Sequence, residues 1–276
     1  MFELPEYLVM AADMNTVLPG KRIYAGEQGN QPHKFVWYNR THEEFTQLTQ
    51  AKVAGQAVVK GRWLMLPLEL GYVLVLGECG GRILYHQPGA ALPDKYHLRL
   101  QFDDGSALTA MTQMWGAMEL YEQGQELLRP YVAGMRPTPA DAAFTYQYFD
   151  DLVAGLAKGE KRSVKALLTQ DQIIPGLGNA IAQDIMYEAH LHPKHPIAEL
   201  DGDQRYALYQ AIMQVVDAVT RCRGRYDEID LFGKPGGYVR LMDKNTAGWP
   251  CRRCGATVQK IQYLGGACYV CPQCQV

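Results

Sequence analysis

Four cysteines towards the end of the sequence have the spacing of a metal site: Cys251-x2-Cys254, sixteen residues, then Cys271-x2-Cys274. Two thiolate pairs on short knuckles supply tetrahedral S₄ coordination with bonds of about 2.3 Å, which describes a closed structural Zn²⁺ site. An isolated pair of knuckles takes zinc more often than iron. Cys79, Cys222 and Cys268 fall outside the pattern and read as packing or incidental residues. A second chemical stretch is Pro175-Gly176-Leu177-Gly178-Asn179, running through Asp184 to Leu191-His192-Pro193. Gly176 and Gly178 permit backbone angles and close approaches that a Cβ would block, and Asn179 stands where an N-cap would. Free N–H groups at a helix start, with no side-chain bulk before them, form an anion site. With Lys158, Lys161, Arg162 and Lys165 upstream, the natural anion is a nucleic-acid phosphate. The same pattern also describes a glycine turn between two packed helices, and the stretch alone leaves both readings open.

The elements that must carry these groups follow from the chain in order. Residues 3 to 18 read as a helix. Pro5 is tolerated in its first turn, Leu8, Val9, Ala12, Met14 and Val17 form an apolar side, and Pro19-Gly20 ends it. Residues 21 to 115 are largely strand-like, with runs at Phe35–Tyr38, Ala57–Val59, Trp63–Leu66, Tyr72–Leu76 and Leu98–Phe102, and a hairpin turn at Asp103-Asp104-Gly105. Many short strands with few helices between them suggest an antiparallel sandwich or barrel. Pro130 to Pro139 is the linker expected between domains. Helical periodicity dominates from Ala140 to Arg221, with apolar positions 166, 167, 168, 173 and 174 forming a helix before the glycine turn and 180, 181, 185 and 186 one after it.

The 276 residues allow two domains with separate cores, and 47% apolar with 20% charged residues is an ordinary globular composition. No apolar run reaches the roughly 18 residues of a membrane helix, and no signal-peptide pattern opens the chain. Cytoplasmic residence and reduced cysteines are the resulting expectations. The formal charge of −2 is no basic footprint. From Phe232 to Val276, however, Lys234, Arg240, Lys244, Arg252, Arg253 and Lys260 face one acid, Asp243, for a local charge of +5.

Gly176-Leu177-Gly178-Asn179, the carboxylate at Asp184 and Leu191-His192-Pro193 resemble the helix–two-turn–helix element of the formamidopyrimidine-DNA glycosylase and endonuclease VIII family. Glu3-Leu4-Pro5-Glu6 resembles that family's opening, and the four cysteines resemble its C-terminal zinc finger. The resemblance implies an α+β multidomain fold: an N-terminal helix on a two-sheet antiparallel β-sandwich, a helix–two-turn–helix domain and a C-terminal zinc β-hairpin. The expected boundaries are 1–130 for the sandwich, 131–144 for the linker, 145–240 for the DNA-binding domain and 241–276 for the Cys₄ finger. It also implies a monomer that binds damaged or abasic double-stranded DNA, nucleoid-associated when bound. Lys165, Gly178 and Asn179 would contact phosphates, which positions DNA without reading sequence.

In that family an N-terminal proline attacks C1′ of the damaged nucleotide, and a following Glu, matched by Glu3, protonates sugar or base. Here position 2 is Phe, too bulky for ordinary removal of the initiator, so the expected nucleophile is the primary amine of Met1. Glu3 and Glu6 have a plainer reading as first-turn carboxylates that complement the helix dipole; Glu6 would at most orient the terminus. Three further departures stand out. The family's hairpin lysine falls on Arg62, which keeps a phosphate contact but gives up no proton near neutrality. Its intercalating Met falls on Glu78, and its finger arginine on Gly266, with Lys260 or Arg253 as substitutes. Gln31-Pro32-His33-Lys34-Phe35 reads as a surface loop entering a strand or as a lesion or phosphate contact. The expected function is a base-excision-repair DNA glycosylase/AP lyase with altered catalytic residues, including a hydrolytic variant in which Glu3 activates water. The alternative is a non-catalytic binder of damaged or distorted DNA. A zinc scaffold for protein partners would need no phosphate-binding turn.

Overall fold

The first helix, α1 (Leu4–Val17), begins where Glu3 and Glu6 cap one another, and Pro5 sits in its first turn, where a missing N–H is not needed. The computed structural model describes residues 1–31, 33–158 and 161–276. It divides into two units, Met1–Met135 with Cys222–Gly237 and Arg136–Arg221 with Tyr238–Val276. The segment 222–237 thus belongs with the β-rich unit, whereas the sequence reading runs the helical domain on to residue 240.

In the first unit α1 is followed by β1 (Ile23–Gln28), β2 (Val36–Trp37), α2 (His42–Thr49), β3 (Val58–Lys60), β4 (Trp63–Leu68), β5 (Tyr72–Gly77), β6 (Gly81–His86), β7 (Leu98–Phe102), β8 (Ala107–Thr112) and β9 (Gly116–Glu122). They form sheets ordered β1-β7-β8-β6 and β2-β9-β5-β4-β3. The core joins Phe2, Tyr7, Met10 and Met14 to Leu64, Leu66, Leu74 and Leu76 of one sheet and Leu98, Leu100 and Leu108 of the other. A second cluster, Trp63, Met65, Val73, Val75, Ala117 and Val132, fills the other face of the five-stranded sheet. Burial on both faces is why β4 and β5 read as continuous apolar runs.

Two expectations change here. The segment 21–115 includes a helix, α2, held by a reciprocal cap between Thr41 and Glu44. The sandwich is antiparallel except for the two-residue β2–β9 pair, which is parallel. The β4–β5 register sets Trp63 opposite Gly77, where an added Cβ would come within 1.8 Å of the indole. That close approach requires glycine, and the same register brings Arg62 alongside Glu78.

The second unit contains α3 (Tyr146–Ala157), α4 (Val164–Thr169), α5 (Asn179–Glu188), α6 (Gly202–Arg221), β10 (Gln259–Tyr263) and β11 (Gly266–Val270). Helix α6 buries Leu208, Ala211, Ile212, Val215, Val216 and Val219, a stripe at helical spacing. Strands β10 and β11 pair antiparallel across Leu264-Gly265, both with positive φ (+50° and +72°), as a two-residue hairpin turn requires. Among the described residues, no helix is long and apolar enough to cross a membrane.

Candidate functional site

In the first unit the start of the chain is wrapped in charge. The Met1 amine donates to Glu228 Oε1 at 2.8 Å. Arg225, from the returning segment, donates through Nη2 to the Met1 carbonyl at 2.8 Å and to Glu6 Oε2 at 3.1 Å, and through Nε to Glu6 Oε1 at 2.8 Å. Its Nη1 lies 4.0 Å from Glu3 Oε1 and its Nη2 3.5 Å from Glu228 Oε1. Burial opposes the Arg225 charge, but the Glu6 and Glu3 carboxylates more than offset this and raise its pKa. Arg225, Glu3 and Glu6 are each at most 5% exposed. Glu6 is saturated: it also accepts from the backbone N–H groups of Glu3 at 2.9 Å and Arg225 at 3.1 Å.

Phe2 is fully buried, edge-on to Tyr7 at 5.8 Å, and its N–H donates to the Cys79 carbonyl at 3.0 Å. A proline here would lose both the donor and the core ring. Gly80 lies alongside: a Cβ there would stand 3.3 Å from the Met1 Cα. Burial pushes the neighbouring Cys79 thiol up to about 12, so it is an inert core residue and no rival nucleophile.

Arg62 and Glu78, the positions of two departures from the family pattern, form an ion pair at 3.0 Å. Burial raises the Glu78 pKa and Arg62 works against it. The guanidinium also donates from Nη1 towards Met1 Sδ at 3.7 Å. Glu78 is therefore not a side chain projecting alone, and Arg62 is not a free cation. Of the run 31–35, Pro32 lies outside the described residues. His33 contacts His97 at 5.4 Å between ring centroids, and Phe35 packs on Trp115 at 4.6 Å.

The second unit carries the glycine turn. Gly176 takes φ +91°. The N-cap of α5 is Gly178, one position earlier than the expected Asn179, which is instead the first helical residue. The preceding helix α4 ends at Thr169, so Ile173 and Ile174 lie in the turn segment. Lys165 is 2% exposed, and its Nζ donates to the Tyr263 carbonyl of the hairpin at 2.6 Å. A Cβ on Gly266 would lie 3.5 Å from that Nζ and 3.6 Å from Asn179 Nδ2. Lys165, Asn179 and the hairpin thus converge. Lys260 is exposed on β10. Arg253, the other substitute for a finger arginine, is bound to the Tyr187 carbonyl at 2.7 Å and to Glu188.

Asp184 anchors the segment leading to the hairpin, accepting from Tyr238 Oη at 2.9 Å and the N–H groups of Leu241 at 2.9 Å and Met242 at 2.8 Å. The sulfurs of Cys251, Cys254, Cys271 and Cys274 all lie within 4.8 Å of one another, with Cys251–Cys274 at 3.8 Å. Bonds of about 2.3 Å in a tetrahedron put sulfurs roughly 3.8 Å apart, so the set fits Zn²⁺. The Tyr187 hydroxyl lies 3.3 Å from Cys251 Sγ, a polar partner for a ligating thiolate.

Arg225 and Glu228 are the residues that sequence reasoning passes over. Their signal is the dense run Arg223-Gly224-Arg225-Tyr226-Asp227-Glu228, too charged for an ordinary helix end.

Known proteins resemble the chain in sequence and in fold. The family model described as the formamidopyrimidine-DNA glycosylase H2TH domain matches residues 135–226. The formamidopyrimidine-DNA glycosylase of Roseiflexus sp. (strain RS-1) is 30% identical over 283 residues, covering 100% of both chains. That of Desulforamulus reducens is 29% identical over 221 residues, 78% of each chain. Among solved structures, the complex of Lactococcus lactis Fpg with DNA containing an abasic site is similar at TM-score 0.85 and 21% identity, over 99% of each chain. MutM (Fpg) from Thermus thermophilus is similar at TM-score 0.82 and 22% identity, over 99% of this chain and 98% of that one.

Proposed function

Because the chain belongs to the formamidopyrimidine-DNA glycosylase family, we propose that it is a DNA glycosylase/AP lyase of base excision repair in which a primary amine replaces the family's proline. The observation that supports this reading is the buried frame of Glu3, Glu6 and Arg225 around the amine of a residue that is itself 39% exposed. A start of the chain serving only as a cap would need no guanidinium on its carbonyl.

In this reading the Met1 nitrogen attacks C1′ of the extruded nucleotide, and the bond from C1′ to the base breaks with its electron pair leaving on the base. Glu3 protonates the sugar or base. Glu6, fully occupied by backbone and Arg225 donors, positions the turn. DNA is held through phosphates by Lys165, Gly178, Asn179 and Lys260, and by Arg62 once it exchanges Glu78 for phosphate. Zn²⁺ on Cys251, Cys254, Cys271 and Cys274 has a structural role, fixing the hairpin that meets Lys165.

The second reading, a binder of damaged or distorted DNA without chemistry, draws its support from the positions of the family's Pro, Lys and finger Arg, which here hold Phe2, Arg62 and Gly266. The deciding experiment incubates the wild-type protein and Glu3→Gln with duplexes carrying oxidised, alkylated, deaminated or abasic sites. Base release or strand cleavage by wild type, abolished in Glu3→Gln, supports the enzyme. Tight binding with neither product on any duplex establishes the binder.

A further inference from the structure

Glu228 accepts a hydrogen bond from the Met1 amine at 2.8 Å, and the surroundings fix it there. Its own N–H donates to the Arg225 carbonyl at 3.0 Å, and its carbonyl accepts from Gly236 at 3.0 Å, so the backbone is held on both sides. Arg225 holds the Met1 carbonyl at 2.8 Å and lies 3.5 Å from the same Glu228 oxygen that the amine touches. One guanidinium therefore aligns the amine and the carboxylate. The Glu228 side chain is 14% exposed, a partly dry setting in which a hydrogen-bonded charge pair is directional.

We infer that Glu228 is the proton acceptor of the reaction proposed above: it takes a proton from the Met1 ammonium as the nitrogen bonds to C1′. The inference rests on that proposal. On an aldehydic abasic site the freed lone pair forms the N–C1′ bond and the carbonyl π pair moves to oxygen. The oxygen gains two protons that began on nitrogen, one of them relayed by Glu228, and leaves as water. The product is a C1′=N iminium, and Glu228 is again a carboxylate. Among the described residues, charged or titratable groups near the pair include Glu3, Glu6 and Tyr7 at the start of the chain, Arg225 beside Glu228, and Arg62, Glu78 and Cys79 at the strand edge. Arg225 already engages Glu6 at 2.8 Å, and Arg62 engages Glu78 at 3.0 Å, so both of these carboxylates are committed elsewhere.

The contact has a rival meaning. If Glu228 only locked the ammonium in place, removing its charge would free the amine and raise reactivity at neutral pH. As a proton acceptor, its removal lowers reactivity. The two meanings predict opposite signs. The test measures cyanoborohydride trapping on a duplex with a natural abasic site, from pH 6 to 9, for wild type, Glu228→Gln and Glu228→Asp, with the adduct mapped to its peptide. Trapping should fall roughly 100-fold in Glu228→Gln at neutral pH, within the usual range for a general base. It should recover as pH rises, because hydroxide replaces the carboxylate. Glu228→Asp should restore part of the neutral rate, and duplex affinity should be unchanged in both variants. Equal or faster trapping by Glu228→Gln, with an adduct still on Met1, overturns this inference and leaves the lyase reading standing. No adduct from wild type overturns both.

Discussion

Arg225→Met tests the charged frame most sharply. The substitution keeps an unbranched side chain but removes the donors to Glu6 at 2.8 and 3.1 Å and to the Met1 carbonyl at 2.8 Å. Glu6 and Glu3, 4% and 5% exposed, are then left buried without the opposing charge. Breaking one side of a buried pair costs about 3–5 kcal/mol. For a unit of about 150 residues each kcal/mol moves Tm by roughly 2–4 °C, so its melting transition should fall by roughly 10 °C. Glu6→Gln in the same background removes the orphaned charge. The double variant should therefore be more stable than Arg225→Met alone, with a coupling energy of about 1–3 kcal/mol. Calorimetry of wild type, both single variants and the double variant closes the cycle. A loss under about 1 kcal/mol in Arg225→Met, or additive effects in the double variant, would refute the claim that this cluster is a buried, mutually dependent unit.

In the second unit, Cys254→Ser should release metal and destabilise the hairpin while the β-rich unit keeps its own transition, with elemental analysis and two-step melting as readouts. Asn179→Ala and Lys165→Ala should each weaken duplex binding by about 1–2 kcal/mol with little dependence on sequence, measured by titration at fixed salt. Burial pushes the Asp184 carboxyl up to about 6 against the hydrogen bonds from Leu241, Met242 and Tyr238. Its folded pKa then exceeds the unfolded value of about 3.9, so the folded state binds more protons and stability falls as pH rises from about 4 through 6. The stability difference between wild type and Asp184→Asn should change across that window, and a difference independent of pH would contradict the assignment.

What could be read from sequence was local. The zinc set depends on two short spacings, the glycine turn on five consecutive residues, and α1 on a first-turn proline, an apolar side and a Pro-Gly stop. Tertiary context decided the rest. Arg225 and Glu6 are 219 positions apart, and nothing near either residue announces the other. Arg62 and Glu78 look like two separate losses until the β4–β5 register sets them side by side. Helix α2 buries only Phe45 and Thr49, too few positions for a helical period to show in the sequence. Lys165 has the charge expected of a phosphate contact, but only the fold reveals that it is buried beneath the hairpin and bound to Tyr263.

In the enzyme reading the Met1 amine takes the place of the family's proline. Borohydride reduction of the wild-type protein on abasic duplex, followed by peptide sequencing of the cross-linked species, tests it directly. The expected product is a single covalent adduct on the α-amine of Met1. Reduction that yields no adduct, or one on a lysine elsewhere in the chain, would contradict it.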